Sequence, residues 1–360
     1  MQNVILDLMS FPKIDYSKSA VNNAGIILIS ESSEIQIEKA LKVLNNWRAC
    51  HGYPVNTFQS TLRKRLKLLN LKNSIVAQRL KRRPTIIAKL KRIKGMRLSR
   101  MQDIGGLRAV VNNLKEVSTL ETSYLNDKNF QHSLIRKDDY IANPKPDGYR
   151  SIHLIYRYKN KRISFYNGLS IEFQIRTKLQ HIWATAVETM GTYLGQSLKA
   201  GEGERKWKDF FAITSSAFAY IEGTRPVPQY SNFNKIQTFQ AVSHFEKDID
   251  ALNIMAGYKF ALNIITEKRG KSFYYHLIIL DSINKKVDIK SYAKNDIKLA
   301  SHDYSEAEAK VSKGEKIEPV LVSAGDIKTL KTAYPNFFLD VDDFIQSVIH
   351  IKRMATNITS

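Results

Sequence analysis

The chain is almost without cysteine: Cys50 is the single one among 360 residues. One thiol cannot close an internal disulfide, and it cannot supply the several thiolates of a cysteine-based zinc site. This excludes the disulfide-stapled secreted class and zinc modules built on cysteine. We expect the protein to work in the reducing cytoplasm.

Long apolar runs are also missing. No apolar segment of the sequence approaches the roughly 18 residues that a membrane-spanning helix needs, so we expect no membrane segment. Residues 1–7 lack the basic region and the apolar core of a signal peptide. Internal repeats and low-complexity tracts are absent as well, which excludes solenoid arrays and largely disordered chains.

Acidic residues are scarce relative to basic ones. The chain has 56 Lys and Arg against 34 Asp and Glu, which gives a formal net charge of +22. The imbalance is greatest between Arg63 and Arg108, where sixteen basic residues accompany one acidic residue, Asp103. Such a density favours an anionic partner, either a nucleotide or a nucleic acid. The alternative is an ordinary solvated helical face.

The spacing of apolar residues predicts an α+β chain in two parts. Residues 17–95 have mostly helical periodicity, and residues 107–177 contain short β-branched segments typical of strands. Two prolines and a glycine at 223–228 predict a break. We therefore predict a mixed β-sheet enclosed by helices at 1–225, and a small α+β module with flanking helices at 226–360.

Within the second part, the pattern predicts a hairpin around Asn284 and a further strand at 317–322. It also predicts helices at 305–313, 326–333 and 341–354.

The segment 171–177 (IEFQIRT) has the sharpest alternation in the chain. Its apolar side chains face one side of a strand, and Glu172, Gln174 and Arg176 face the other. In a strand of this kind, the apolar face packs against the core and the polar face is open to solvent or to a ligand. A carboxylate on the open face can bind a metal ion or accept a proton from a reacting hydroxyl. The alternative is an exposed strand with a Glu–Arg pair.

The segment 79–89 (RLKRRPTIIAK) places four basic residues before a proline. Proline suits the first position of a helix, so we predict that a helix starts at Pro84. Helix N-termini attract phosphate, and Thr85 and Lys89 share a face of that helix. The arrangement suits a triphosphate, or it is a basic helix cap.

The segment 102–108 (QDIGGLR) contains Asp103, the sole carboxylate of the basic stretch. It is either a helix cap or salt-bridge partner, or a ligand for the Mg²⁺ that phosphoryl transfer requires.

The segment 137–153 (KDDYIANPKPDGYRSIH) is a basic, turn-rich loop that leads into a strand. Tyr149 follows Gly148, so the backbone can turn and present the ring. Aromatic rings bind nucleic-acid bases by stacking. His153 follows in the same motif, although a lone histidine is more often structural.

In this order, the four segments resemble the pyrophosphokinase domain of the RelA/SpoT superfamily, which includes the alarmone synthetases. The resemblance covers about residues 60–195. It implies an α+β synthetase fold and the transfer of pyrophosphate from ATP to a 3′-hydroxyl, with Mg²⁺ as the cofactor.

The resemblance also implies a role for individual residues. Asp103 and Glu172 would be the catalytic carboxylates and would hold the metal. The residues implied for ATP binding are Arg79, Lys81, Thr85, Lys89 and Arg108. Those implied for acceptor binding are Lys137, Tyr149, His153, Gln174 and Arg176.

The larger family members carry an upstream hydrolase domain, and too little chain precedes Arg79 for one. We therefore expect an enzyme that makes its product without degrading it. The architecture resembles the CapRel-type fused toxin–antitoxin proteins of phage defence, in which a C-terminal pseudo-zinc-finger restrains the toxin and senses a phage protein. Tyr334 and Phe337 would then plug the adenine site, although the resemblance leads one to expect tyrosine at both positions. The alternative is two ordinary core aromatics.

Three functions remain open at this point. The first is a pyrophosphokinase that acts on the 3′ end of tRNA, as toxic members of this kind do. The second is a guanosine alarmone synthetase that uses GDP or GTP. The third is a non-catalytic nucleotide- or RNA-binding regulator, against which the presence of both Asp103 and Glu172 argues. We expect a monomer.

Overall fold

The computed structural model describes residues 12–81, 83–194, 204–267, 273–281, 284, 286–313, 315, 317–323 and 337–357. The chain divides into two compact units: Met1–Tyr140 with Ser151–Lys178, and Ile141–Arg150 with Leu179–Ser360. Within the described ranges, no helix combines the length and the apolar character needed to cross a membrane.

The first unit alternates helices with strands. Its helices are α1 (Lys18–Ile27), α2 (Glu34–Cys50), α3 (Gly52–Leu68), α4 (Arg83–Arg92) and α5 (Leu114–Leu125). Its strands are β1 (Ile75–Leu80), β2 (Gly105–Val111), β3 (Ser133–Asp139), β4 (Ile152–Arg157) and β5 (Ser170–Thr177).

These strands form one sheet in the order β1-β2-β5-β4-β3. β2 and β5 run parallel, while every other neighbouring pair is antiparallel. The sheet is therefore mixed, and β5 lies at its centre. Together with the surrounding helices, it confirms the predicted α+β fold of this part of the chain.

One face of the sheet is packed with aromatic side chains. Phe173 of β5 contacts Tyr124 of α5 with ring centroids 4.9 Å apart, and Phe58 of α3 lies 5.7 Å from Tyr156 of β4. The rings of these residues contribute large buried areas to the core. Ile171, Phe173 and Ile175 are fully buried, as the alternation of β5 predicts.

Three elements of the first unit differ from the prediction. β1 lies inside the stretch 17–95 that has mostly helical periodicity, and α5 interrupts the predicted run of strands. The last residues of β3, 137–139, fall where the sequence indicates a loop. β1 and β3 are the two edge strands of the sheet, and edge strands lack the apolar burial that makes a strand recognisable.

The second unit is mainly helical. Its helices are α6 (Lys178–Tyr193, whose first residue belongs to the first unit), α7 (Arg205–Glu222), α8 (Lys235–Ile249), α9 (Ala251–Glu267), α10 (Ile297–Ser312) and α11 (Phe337–Asn357). Its strands, β6 (Phe273–Asp281), β7 (Lys286–Ala293) and β8 (Ile317–Ser323), form an antiparallel sheet in the order β7-β6-β8. The hairpin predicted around Asn284 is confirmed. The helix predicted at 326–333 lies outside the described residues.

The predicted break at 223–228 falls inside the second unit. Gly223 ends α7 in the left-handed conformation, and the backbone N–H of Val227 then donates to Ser216 Oγ at 3.1 Å. The turn therefore folds back onto α7 instead of leading away from it. Phe344 of α11 packs against Phe210 at 6.3 Å between ring centroids, so the helices on both sides of the turn share one core. The assignment of separate functions to 1–225 and 226–360 stays a prediction.

α3 lies very close to the sheet at Gly105. A Cβ on Gly105 would lie 2.8 Å from Val55 Cγ2 and 3.0 Å from Ile171 Cδ1. A Cβ on the neighbouring Gly106 would find nothing nearer than 3.8 Å. The two adjacent glycines therefore differ sharply in the space available to a side chain.

We predict that Gly105→Ala lowers the free energy of unfolding by about 1–3 kcal/mol, the usual cost of overpacking a core. Gly106→Ala is the matched control and should change it by less than about 1 kcal/mol, because the added methyl group makes only ordinary contacts. Urea unfolding followed by circular dichroism measures both. Equal losses in the two variants would contradict the packing of α3 described here.

Candidate functional site

Asp103 lies in the turn before β2, where two lysines from neighbouring elements reach it. Lys81 Nζ, just after β1, and Lys89 Nζ, on α4, each lie 2.9 Å from Asp103 Oδ2. Burial raises the pKa of this carboxyl, but the two ammonium charges outweigh burial and hold the pKa below its usual value. Asp103 is therefore an ionised carboxylate inside a cluster of positive charge.

The second oxygen of this carboxylate has a different environment. Asp103 Oδ1 is buried and accepts no hydrogen bond from the part of the chain that the structure describes. A buried ionised oxygen of this kind is costly unless something positive contacts it. The charge of Glu172 also acts on Asp103, raising its pKa, so the two carboxylates interact. An oxygen-rich pair of this kind fits a hard cation such as Mg²⁺.

Glu172 is the third residue of β5, and two side chains of the same sheet contact its carboxylate. His153 Nδ1, on β4, lies 3.1 Å from Glu172 Oε1. Gln174 Nε2, two residues along β5, donates to Glu172 Oε2 at 2.8 Å. The Glu172 side chain is 15% exposed, so both contacts form in a largely enclosed place.

The environment of Glu172 keeps it ionised. Burial raises its pKa, but the hydrogen bond and charge of His153 and the charge of Arg79 outweigh burial and lower the pKa to about 2. A carboxyl with this pKa carries its charge throughout the neutral range. It is a strong candidate for holding a cation and a weak proton acceptor.

The strand register shows which predicted residues share a face with Glu172. Arg79 is opposite Gly106, which is opposite Glu172. Arg108 is opposite Gln174, which is opposite His153. Because paired residues point to the same side of a sheet, residues predicted for ATP and residues predicted for the acceptor meet on one face.

Arg176 differs from the expectation of an open strand face. It alternates onto the same side as Glu172, but only 1% of its surface is exposed, and Arg108 is 7% exposed. The face is therefore accessible near the start of β5 and closed near its end.

Two of the predicted residues are not on this face of the sheet. Thr85 is exposed on α4, one helical turn before Lys89. Lys137 pairs in register with Leu154, on the core face of the sheet, and its Nζ lies 2.6 Å from Glu121 Oε1. The structure therefore does not bring Lys137 to Glu172.

A bulge in β3 explains the position of Lys137. The register shifts between Leu134 and Arg136, so that Arg136 and Asp138 take the Glu172 face instead. Their side chains form an ion pair at 2.9 Å. Sequence reasoning missed both residues, because a bulge moves side chains from one face to the other without a clear signal in the sequence.

Tyr149 belongs to the second unit, in the segment Ile141–Arg150. The preceding Gly148 has φ +97°, and a Cβ there would lie 2.8 Å from both Trp183 Cζ2 and Ser215 Cβ. Only glycine combines this backbone conformation with such a close approach. The glycine therefore lets the loop pack against α6 and α7, and this packing fixes the backbone position of Tyr149.

Arg150 anchors the other side of Tyr149. Its side chain is buried, and Nε donates to Ser215 Oγ at 3.0 Å while Nη2 donates to the carbonyl of Arg225 at 2.7 Å. Burial lowers the pKa of Arg150 to about 10. An arginine held by neutral acceptors in this way has a structural role, because its donors are already used.

A small aromatic cavity adjoins Tyr149. It measures about 20 Å³ and is lined by Asp147, Tyr149, Trp183, Ala184, Val187, Lys208 and Phe211. A volume of this size holds one water molecule. The cavity is therefore too small to admit a nucleotide base. Trp183 and Phe211 have the spacing of core residues in the sequence, which is why they were not predicted for this site.

The predicted inhibitory residues are only partly covered. Tyr334 lies outside the described residues, and so does the side chain of Phe337, whose backbone begins α11.

Elsewhere in the second unit, single ligand atoms of His302, Asp303 and Glu306 lie within 4.8 Å of one another. The Asp303 carboxylate already accepts from Tyr292 Oη at 2.8 Å and pairs with Lys290, so its charge is neutralised.

The chain is similar to known proteins over its first half. Residues 78–197 match the family model described as a region found in RelA and SpoT proteins. The GTP pyrophosphokinase YjbM of Bacillus subtilis (strain 168) is 34% identical over 98 residues, which is 27% of this chain and 46% of that protein. The GTP pyrophosphokinase of Escherichia coli (strain K12) is 27% identical over 150 residues, 41% of this chain and 18% of that protein.

Among solved structures, the small alarmone synthetase 1 from Bacillus subtilis bound to its product pppGpp is 24% identical, with a TM-score of 0.44. That alignment covers 51% of this chain and 94% of the other. The chain spans less than half the length of the curated relatives named above. Within these limits, residues 78–197 match a region found in RelA and SpoT proteins, and GTP pyrophosphokinases are among the proteins to which the chain is similar.

Proposed function

We propose that the chain is an ATP-dependent pyrophosphokinase. The acceptor's 3′-oxygen attacks the β-phosphorus of ATP, the bond from that phosphorus to the α,β-bridging oxygen breaks, AMP leaves, and the hydroxyl proton is released. The observation that supports this most directly is the pair of interacting ionised carboxylates, Asp103 and Glu172, set among the cations of one sheet face. Phosphoryl transfer is catalysed mainly by such positioning and charge.

The two lysines on Asp103 suggest how ATP enters. Lys81 and Lys89 share one oxygen of a single carboxylate. A triphosphate carries more negative charge than Asp103 and competes for both ammonium groups. As Lys81 and Lys89 turn to the phosphates, the Asp103 carboxylate is released from its ion pairs. Arg79 is on the same face as Glu172, and its positive charge lowers the pKa of Glu172.

Asp103 and Glu172 are the residues that would hold Mg²⁺, and the orphaned Asp103 Oδ1 fits that role. A cation held by these two carboxylates would supply positive charge against the negative charge of the phosphate groups.

His153 is a positioning residue for Glu172. By contacting Oε1 it fixes the carboxylate rotamer and lowers its pKa. Glu172 can then orient the acceptor hydroxyl through a hydrogen bond. If the acceptor displaces His153 from Oε1, the pKa of Glu172 rises and the carboxylate becomes a better proton acceptor.

We propose tRNA as the acceptor, with the 3′-terminal ribose at Glu172. The support is the net charge of +22, which exceeds what a single nucleotide requires. The named activity of the relatives favours the alternative, GDP or GTP, for this chain. A non-catalytic regulator is the third possibility, and the presence of both carboxylates argues against it.

We further propose that the C-terminal part restrains the enzyme, as in a fused toxin–antitoxin protein of phage defence, with Tyr334 and Phe337 at the nucleotide site. The restraint would be intramolecular and hence act at a high effective concentration. A phage protein that prefers the open form would then activate the enzyme by shifting the equilibrium.

We predict that Glu172→Gln lowers the transfer rate at least roughly 100-fold, because it removes the charge needed for the cation and the acceptor. The assay uses purified protein, ATP labelled in the γ-phosphate, and GDP, GTP or total tRNA in separate reactions. Glu121→Gln is the matched control, since Glu121 is on α5 and pairs with Lys137 on the opposite face.

Label on tRNA supports the first acceptor, and label on guanosine nucleotide alone establishes the alternative. Wild-type transfer by Glu172→Gln would contradict the proposed mechanism, and no label on any acceptor would favour the non-catalytic regulator.

We predict that Tyr149→Ala raises the KM for the acceptor roughly 5- to 150-fold, since stacking on one base contributes about 1–3 kcal/mol. The KM for ATP should stay within about twofold. Tyr149→Phe keeps the stacking face and serves as the control. A larger change on the ATP side would show that the ring serves the donor nucleotide instead.

The restraint is best tested by point substitution. Truncation near residue 230 would remove α11, whose Phe344 lies against Phe210, Phe211 and Phe218 in the core. We predict that induced expression of full-length Tyr334→Ala arrests growth and that adding Glu172→Gln abolishes the arrest. Tyr274→Ala, which changes another tyrosine of the C-terminal part, is the control. A soluble Tyr334→Ala chain with high transfer activity and normal growth would refute the toxin proposal.

A further inference from the structure

A basic groove lies in the first unit, away from the catalytic carboxylates. It has a volume of about 550 Å³ and is formed by the end of α3, the turn that follows and the start of β1. Its lining residues are Arg63, Leu66, Lys67, Asn70, Leu71, Lys72, Asn73, Ser74 and Val76.

The turn that forms the groove is well defined. Asn70, with φ 53°, follows the end of α3 in the left-handed conformation. The N–H of Leu71 donates to the carbonyl of Leu66 at 3.0 Å, and the N–H of Asn70 donates to that of Lys67 at 3.1 Å. This bond pattern is a Schellman motif, in which the last helical carbonyls are satisfied internally.

Two side-chain bonds fix the rest of the turn. Ser74 Oγ donates to the carbonyl of Leu71 at 3.0 Å, and Asn112 Nδ2, just after β2, donates to the carbonyl of Lys72 at 3.0 Å. The groove is therefore attached to the central sheet and is formed before any ligand arrives.

The charged side chains that line the groove are all positive. Arg63, Lys67 and Lys72 line it, and none of the nine lining residues is acidic. Within the described part of the chain, these three cations form no ion pair. Arg65, one residue from the groove lining on α3, pairs instead with Asp127 at 2.5 Å.

The end of α3 does not account for this charge. A cation in the last turn of a helix is favoured by the helix dipole, which explains Lys67. Arg63 precedes the last turn, and Lys72 follows the helix. Two of the three cations therefore need another explanation.

The groove and the catalytic centre lie at different ends and on different faces of β1. Val76, at the groove, and Lys81, at Asp103, are five residues apart, or about 17 Å along the strand. Val76 alternates to the face opposite that of Arg79, which shares its side with Glu172. A ligand bound here is consequently separate from the ATP and the hydroxyl at the reacting centre.

The lining of the groove also indicates what it can bind. None of the lining residues is aromatic, so no ring is present to stack on a base. Cations and amide groups in an open groove suit phosphate groups without recognising the base that each one carries. A polynucleotide backbone meets these conditions better than a free nucleotide does.

We propose that this groove holds backbone phosphates of RNA at a second site, remote from the catalytic centre. The choice of RNA rests on the proposed tRNA acceptor, whereas the phosphate-binding role rests on the groove itself. The groove would hold the body of the RNA while its 3′ end reaches the opposite face of the sheet. It would thereby contribute affinity without sequence specificity.

The test measures binding without ATP, so that it does not depend on catalysis. The probe is fluorescently labelled total tRNA, titrated with the full chain by anisotropy at several salt concentrations. The groove variant is Arg63→Gln/Lys67→Gln/Lys72→Gln. The matched control is Lys159→Gln/Lys161→Gln/Arg162→Gln, which removes the same number and types of charge from exposed positions of the same unit.

The groove variant should bind tRNA at least roughly tenfold more weakly, and its log–log salt slope should be smaller by about 2 to 3, since each lost phosphate contact contributes about 0.7–0.9. The control should stay near wild type. The charge-retaining variant Arg63→Lys/Lys67→Arg/Lys72→Arg should also bind normally, which separates charge from an effect on folding.

Equal losses in the groove variant and the control would overturn the proposal, because they would report net charge alone. Unchanged tRNA binding in the groove variant would overturn it as well. So would calorimetry in which GTP loses one binding site in the groove variant while tRNA binding persists, because the groove would then hold a free nucleotide. If no acceptor receives label in the transfer assay, the proposed enzymatic function fails, yet the anisotropy comparison still decides the role of the groove.

Discussion

The parallel pairing of β2 with β5 is the constraint on which the candidate site depends. Gly105 is opposite Ile171 and Gly106 is opposite Glu172, so the N-terminal ends of the two strands lie side by side in the sheet. Asp103 lies just before the first residue of β2, and Glu172 lies just after the first residues of β5. An antiparallel arrangement of these two strands would place the carboxylates at opposite ends of the sheet. The close contact of α3 with Gly105 fixes the position of the N-terminal end of β2.

Charges of both signs lie close together at the N-terminal ends of β2 and β5. Two carboxylates lie beside Arg79, Lys81 and Lys89, and both carboxyls have pKa values below their usual ones. Because the folded pKa of Glu172 is about 2, below its ordinary value of 4.5, its ionised form stabilises the fold above about pH 4.5, and this contribution is lost as the pH falls toward 2. Both carboxylates of this site are therefore ionised at neutral pH.

Much of the centre of the sheet could be predicted from the sequence, because buried strands leave a clear pattern. The alternation in β5 identified Glu172 and Gln174 correctly as neighbours on the face opposite the core. The edges of the sheet could not be predicted in the same way. β1 has little burial to mark it, and the bulge in β3 exchanged Lys137 for Arg136 on the Glu172 face.

The basic run from Arg63 to Arg108 shows a second limit of sequence reasoning. In the sequence it is one continuous feature, whereas the fold separates its members. Arg65 pairs with Asp127, Lys81 pairs with Asp103, and Lys72 lines a groove at the far end of β1. Linear charge density treats these residues as one surface, whereas the strand register shows that they lie in separate places.

The packing of α11 has a consequence for the order in which the protein is made. Phe344 completes an aromatic cluster with Phe218 of α7, more than a hundred residues earlier in the chain. Chains are synthesised at about 5–20 residues per second, so α7 waits on the order of ten seconds at the ribosome before its last partner emerges. The loop that carries Tyr149 packs on α6 and α7 and therefore acquires its full support late. The loop around Tyr149 is thus completed in a nascent chain well after the sheet that carries Glu172 has been synthesised.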